Sequence, residues 1–83
     1  MQINTKYEVG QHVWHIYENK GEVCVFDDFI GWITIEDEMY YTLKESTVDV
    51  KEEDIILYEN KFDLLKKIIE IMEDIRNKEQ LDK

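Results

Sequence analysis

Proline and alanine are absent from this 83-residue chain, arginine occurs once, as Arg76, and cysteine once, as Cys24. The single cysteine excludes an intrachain disulfide and a cysteine-rich metal site. It fits a reduced, cytoplasmic compartment. The three glycines, Gly10, Gly21 and Gly31, stand apart from one another, so there is no glycine-rich loop to cradle phosphate. Long apolar runs are missing as well, and a membrane span needs about 20 residues of one. The opening "MQINTKYEVG" has no basic region followed by an apolar run, so no signal peptide is expected. Ala and Pro codons are rich in G and C, so their absence beside abundant Ile, Lys and Glu points to an A/T-rich gene.

Positive charge is scarce too. Ten Lys plus Arg face twenty Asp plus Glu, for a net charge of −10. Direct binding to nucleic acid needs a basic footprint and is excluded as an expectation. An anionic membrane surface is disfavoured by the same sign. The imbalance is local: residues 1–59 hold 14 acidic and 4 basic side chains, whereas residues 60–83 hold 6 of each.

What is present is a folding composition, 43% hydrophobic and 12% aromatic. The first two-thirds reads as short strands: 12–18, 22–26, 29–35, 39–44, 48–50 and 55–58. The second and third are one strand if a bulge sits at Asp27–Asp28. "NKG", 19–21, suits a three-residue hairpin loop with Gly21 in the left-handed position. Such spacing predicts a small barrel or sandwich. From Lys61 the period changes to three- and four-residue steps, which predicts a helix to about Lys78 with a fraying tail. Asn60 is placed to cap it, with Asp63 in the capping-box position. The expected fold is therefore mainly β with a C-terminal helix (α+β): one domain over 1–83, a five- or six-stranded small β-barrel over 6–58 and an amphipathic helix over 60–79.

The apolar stripe of that helix covers about half its circumference, while one supporting surface needs about 100°. Leu64 and Ile71 lie on the surplus edge. Leu64, Ile68, Ile71 and Ile75 are thus the expected seam for a homodimer or a partner.

The stretches "YEVGQHVWHI" and "VKEEDIILYENKFDLL" resemble the opening and close of small SH3-like barrels. They share an aromatic-x-apolar-Gly start and an acidic one-turn element before the last strand. Small proteins of low-GC phages and mobile elements have this layout with an appended helix. The resemblance implies the SH3-like fold and no catalytic residues. Tudor-like members of the class bind cationic or methylated peptides in an aromatic cage, to which Trp32, Tyr40 and Tyr41 would contribute here.

Catalytic and metal chemistries find few residues. His12 and His15 are three apart and fall on opposite faces of a strand. Cys24 with one His gives two ligands, short of a zinc set. The acidic clusters Asp27–Asp28, Glu36–Glu38 and Glu52–Asp54 lack the alternate spacing of a calcium loop. Ser46 has no evident base. A non-enzyme without cofactor or metal is expected. Most aromatics (Trp14, Phe26, Phe29, Trp32, Phe62) read first as core. Strand alternation nevertheless buries Tyr41, exposes Tyr40, and makes Trp32 its best exposed companion, with Ile30 on the same face as Trp32.

An aromatic face beside carboxylates suits a cation, because a Lys or Arg meets the ring and the carboxylate together. Trp32, Glu36, Asp37, Glu38, Tyr40, Asp27 and Asp28 are the candidate partner-binding residues. The expected partner is a basic protein surface. The fullest form of this reading is a phage-type, anti-defence inhibitor acting in the host cytoplasm. Nucleic-acid mimicry is one route, since alternate strand residues stand about 6.8 Å apart, near the phosphate repeat. Two other functions fit the same residues: a small-ligand or signal-sequestering dimer, and a Tudor-like reader of cationic peptides.

Overall fold

The computed structural model describes residues 5–81, with side chains through 79. Strand β1, His12–Asn19, runs antiparallel to β2, Glu22–Ile35, from the pair His12–Phe29 to the pair Asn19–Glu22. Only Lys20 and Gly21 remain for the loop, and both have positive φ, 53° and 82°. The expected three-residue loop is therefore a two-residue loop. Two successive left-handed residues match the right-handed twist of the flanking strands.

Strand β2 passes through Asp27–Asp28 without a break. Its irregularity lies at Gly31, where the register with β3, Met39–Leu43, steps from Ile30–Leu43 to Trp32–Thr42. A Cβ at Gly31 would stand 3.1 Å from Lys44 Cα and 3.1 Å from the Thr42 carbonyl oxygen. Glycine here lets two backbones approach closely. The bulge resets the alternation: Ile30 is buried and Ile33 packs against the core, while Trp32 points out. Ile30 and Trp32 do not share a face, contrary to strict alternation.

Strand β4, Asp49–Val50, pairs with β3. A single 3-10 turn, Glu52–Asp54, leads into β5, Ile55–Leu57, which pairs with β1. The five strands form one antiparallel sheet in the order β4-β3-β2-β1-β5. The sheet is open, with β4 and β5 at its edges. One C-terminal helix completes an α+β fold.

The core consists of Tyr7, Val13, Ile30, Tyr41, Leu43, Val50 and Ile55. Its aromatics are tyrosines. Of the five residues first read as core, Phe26 packs against the cluster, but Phe29, Trp32 and Phe62 are exposed. Tyr7 and Tyr41 meet edge to face at 5.6 Å. Both hydroxyls are satisfied: Tyr7 donates to the Ile55 carbonyl (2.9 Å), and Tyr41 donates to Glu52 Oε2 (2.8 Å) while accepting from the Tyr7 N–H (3.2 Å). Burial and the Glu52 carboxylate raise the Tyr41 phenol above its ordinary value.

Asp28 is 2% exposed, and no cation pairs with it among the described residues. Instead its carboxylate accepts from the N–H groups of Phe29 (2.7 Å), Glu45 (3.0 Å) and Ser46 (2.9 Å) and from the Ser46 hydroxyl (2.8 Å). Burial alone would raise its pKa, but the Ser46, Glu45 and Phe29 donors outweigh burial and lower it. Asp28 thus ties β2 to the turn after β3, in which Thr47 takes a positive φ of 58°.

Helix α1, Lys61–Leu81, extends past the expected Lys78; fraying of the last two residues lies outside the described part. It starts after Asn60 as expected, but the contacts differ from a capping box: the Asn60 side-chain amide donates to the Asp63 carboxylate, the Asn60 N–H goes to the Leu57 carbonyl, and the Leu64 N–H reaches the Asn60 carbonyl. The helix packs against β1, β2 and β5. Ile16, fully buried and three residues beyond Val13, points to the opposite face of β1 from the core. Leu64 is buried on the helix, and Ile68, Ile71 and Ile75 are half-buried. Phe62, Leu65, Ile69 and Met72 are exposed. The surplus edge is therefore corrected: Leu64 and Ile71 belong to the covered face, because the sheet seats on that side. No helix among the described residues is long and apolar enough to cross a membrane.

Two outcomes are expected. Asp28→Asn should cost roughly 3 kcal/mol, because one amide cannot satisfy all the donors that met a carboxylate. Since the folded pKa lies below the unfolded one, the wild-type contribution is complete above about pH 4 and is lost as pH falls toward the folded value. Chemical denaturation from pH 7 to pH 2 should show the wild type and Asp28→Asn converging at the acid end. Gly31→Ala should destabilise by about 1–3 kcal/mol, measured the same way at neutral pH, because backbone atoms sit where its methyl would go.

Candidate functional site

The bulge at Gly31 creates the outer face of β2 and β3. Beyond it Trp32 pairs with Thr42 and Thr34 with Tyr40, so Trp32 and Tyr40 are diagonal neighbours on one side of the sheet. Trp32 is 52% exposed and Tyr40 half-buried. Thr42, between them in the ladder, is 3% exposed and donates to Asp49 Oδ1 at 2.6 Å. Asp49 itself is exposed, opposite Thr42 in the ladder to β4. The face ends in the β2–β3 turn, where Glu36, Asp37 and Glu38 are all exposed and the Glu36 N–H closes on the Glu38 carbonyl at 3.2 Å. Five of the expected partner-binding residues thus lie on one strip: Trp32, Tyr40, Glu36, Asp37 and Glu38.

The other two separate from it. Asp28 is the buried carboxylate described above and has no surface to offer a partner. Asp27 lies on β2 opposite Trp14, where His12 Nε2 hydrogen-bonds its Oδ2 at 2.7 Å.

That pair belongs to a column of rings absent from the expectations. His12 stacks on Phe29 at 4.5 Å and on Tyr58 at 3.8 Å, and Tyr58 stacks on Trp14 at 4.8 Å. The Trp14 indole N–H donates to the Tyr58 carbonyl at 3.0 Å. His12 and Trp14 are legible as same-face residues from their spacing. Tyr58 joins them only through the β1–β5 ladder, across more than forty residues, which no local pattern reveals. His12 and Tyr58, the inner rings, are stacked on both faces, whereas Phe29 and Trp14 end the column. The Trp32 face sets an exposed aromatic ring on the same strip as the exposed carboxylates of the β2–β3 turn.

His15 is turned to the side of Val13, away from His12. Burial holds its imidazole below the ordinary pKa, with Asp54 and Asp28 partly opposing. Among the described residues no group of three or more His, Cys, Asp or Glu side chains is placed to hold a metal ion. A groove of about 520 Å³ separates β5 and the 3-10 turn from α1. Lys6, Lys66 and Lys67 line it together with Glu52, Glu53, Asp63 and Glu70, so its charges nearly cancel. It has neither the basic excess a phosphate needs nor a free aromatic face.

Comparison of the chain with protein-family models, with curated proteins and with solved structures finds no match.

Trp32→Ala should change stability by less than about 1 kcal/mol, as expected of an exposed site outside the core. Tyr41→Phe should cost about 1–3 kcal/mol, because it leaves Glu52 and the Tyr7 N–H without their partner. Thermal unfolding of the two variants beside wild type checks both. A large loss for Trp32→Ala would mean that the ring is structural.

Proposed function

We propose that the chain is an acidic, non-enzymatic binding protein that occupies a basic protein surface. In its specific form it is a phage-type inhibitor that fills the basic channel of a host nucleic-acid-binding or defence enzyme. The observation that carries this reading is the setting of Trp32, 52% exposed, beside Tyr40 on a sheet face that runs into Glu36, Asp37 and Glu38. An arginine or lysine docking there meets a ring face and a carboxylate at once, and both contacts strengthen as water leaves.

The net charge supports the same reading. A field of −10 raises the rate of encounter with a basic surface, and carboxylates clustered at turns can stand in for phosphates without a continuous row of them. The SH3-like resemblance is supported by the strand order, with β5 beside β1 and a 3-10 turn just before β5. Within that fold class a cationic-peptide reader uses the same aromatic and acidic chemistry. The charge outside the Trp32 face favours a whole basic surface over a short peptide.

The test is capture of the partner from host lysate at low salt, followed by binding kinetics across a salt series. Reversing Glu36, Asp37 and Glu38 to Lys should lower the on-rate about tenfold or more and flatten its salt dependence. Trp32→Ala should leave the on-rate and raise the off-rate by about tenfold or more, as expected of an anchor residue. Salt-independent binding that ignores the triple reversal would exclude the electrostatic mechanism and favour a small ligand in the α1 groove.

A further inference from the structure

Helix α1 carries two apolar faces, and the sheet covers one of them. Leu64, Ile68, Ile71 and Ile75 turn toward the sheet. Phe62, Leu65, Ile69 and Met72 are 73%, 59%, 55% and 56% exposed. The spacing of these four is three, four and three residues, the a–d alternation of a coiled-coil seam, and Arg76 stands at the next a position. At 100° per residue they fall within an arc of about 80°, centred roughly 110° from the covered face. Scattered exposed apolar side chains need no explanation, but a continuous stripe about 15 Å long does.

We infer that this stripe is a dimer seam and that its occupant is a second copy of the same chain. Charge separates the seam from the Trp32 face. The seam lies in the segment 60–83, whose six acidic and six basic side chains cancel, whereas the segment 1–59 carries the whole −10. A basic partner is drawn to the sheet and has no reason to choose the helix. The contact itself brings no excess of like charge, and Lys66 and Glu73 offer both signs beside the seam. The covered face lies well round the helix from the exposed one, so two seams can meet with each sheet outside the contact.

Area supports a dimer of modest affinity. At these exposures each of the four side chains leaves on the order of 100 Å² open, or about 800 Å² for two copies. The stems of Lys66, Glu73 and Arg76 bring the total toward the ~1,200 Å² at which stable interfaces begin. An interface of this size belongs to the small, transient end of the range. The inference is independent of the basic-surface reading, since it uses a different element and a contact with no net charge.

Sedimentation equilibrium of the full chain between about 1 and 500 μM tests it. The wild type should pass from monomer to dimer, and added salt should strengthen the dimer slightly by screening the two acidic sheets. Ile69→Glu should weaken association about 100-fold or more by placing a charge in the seam, with the amide NMR spectrum of the sheet unchanged. Arg76→Leu adds an apolar a position and should tighten association about tenfold. Should Ile69→Glu fail to fold, Arg76→Leu decides, because a helix with no seam gains nothing from it. A wild type that stays monomeric throughout, a dimer indifferent to Ile69→Glu, or no tightening with Arg76→Leu would each overturn the inference.

Discussion

A carboxylate buried with no cation beside it among the described residues organises this sheet. Asp28 sits in the middle of β2 and receives three backbone N–H groups and one hydroxyl, two of those donors from Ser46 and one from Glu45. A buried charge is tolerated only where donors replace the water it has lost. Here the donors come mostly from the turn after β3, so the ionised side chain and that turn require each other. The turn holds Thr47 in the left-handed region, and the Leu43 N–H reaches across it to the Val48 carbonyl at 2.9 Å. The chain is thereby aimed back along β3 to form β4. This acid is spent on architecture and not on the surface field.

Gly31, three residues along the same strand, decides which side chains the sheet shows. The bulge there lets Ile30 and Ile33 both enter the core, and Trp32 is left outside between them. Without it, strict alternation would place Trp32 on the same side as Ile30. The candidate site therefore depends on a glycine that touches no partner. The acid cluster at 36–38 is equally a product of position, since it occupies a turn in which no side chain faces the core.

Much of this was legible in the residues. The β-branched and aromatic runs located the strands, the change of period at Lys61 located the helix, and Asn60 with Asp63 located its start. Trp32 was legible as exposed and Tyr40 as its companion on one face, although Tyr40 is half-buried and the bulge alters the alternation used. What failed to show were relations between distant parts of the chain. Asp27 and Asp28 are neighbours of one type, yet register puts one beside His12 and the other in the interior. The helix stripe gave the width of the apolar surface without saying which edge the sheet would take. The open sheet, with β4 and β5 unpaired to each other, is likewise a matter of tertiary geometry. Phe29 and Phe62 read as core by residue type but lie on outward faces, while Tyr7 and Tyr41 are buried with their hydroxyls bonded to Ile55 and Glu52.

Strand β1 has two partners of very different cost to assemble. Its ladder with β2 is closed by a two-residue loop and loses little chain entropy. Its ladder with β5 joins His15 to Ile55 and Val13 to Leu57, so it forms only after the intervening chain is ordered. Helix α1 follows directly on β5 and packs across the same strands, so the two are continuous in the chain and in space. The segment from Ile55 onward is held by Ile55 in the core, by the Tyr7 hydroxyl on the Ile55 carbonyl and by the Trp14 indole on the Tyr58 carbonyl. Its release would uncover Ile16 and the hydrogen-bonding edge of β1 together, the kind of bare strand that recruits another copy by edge pairing.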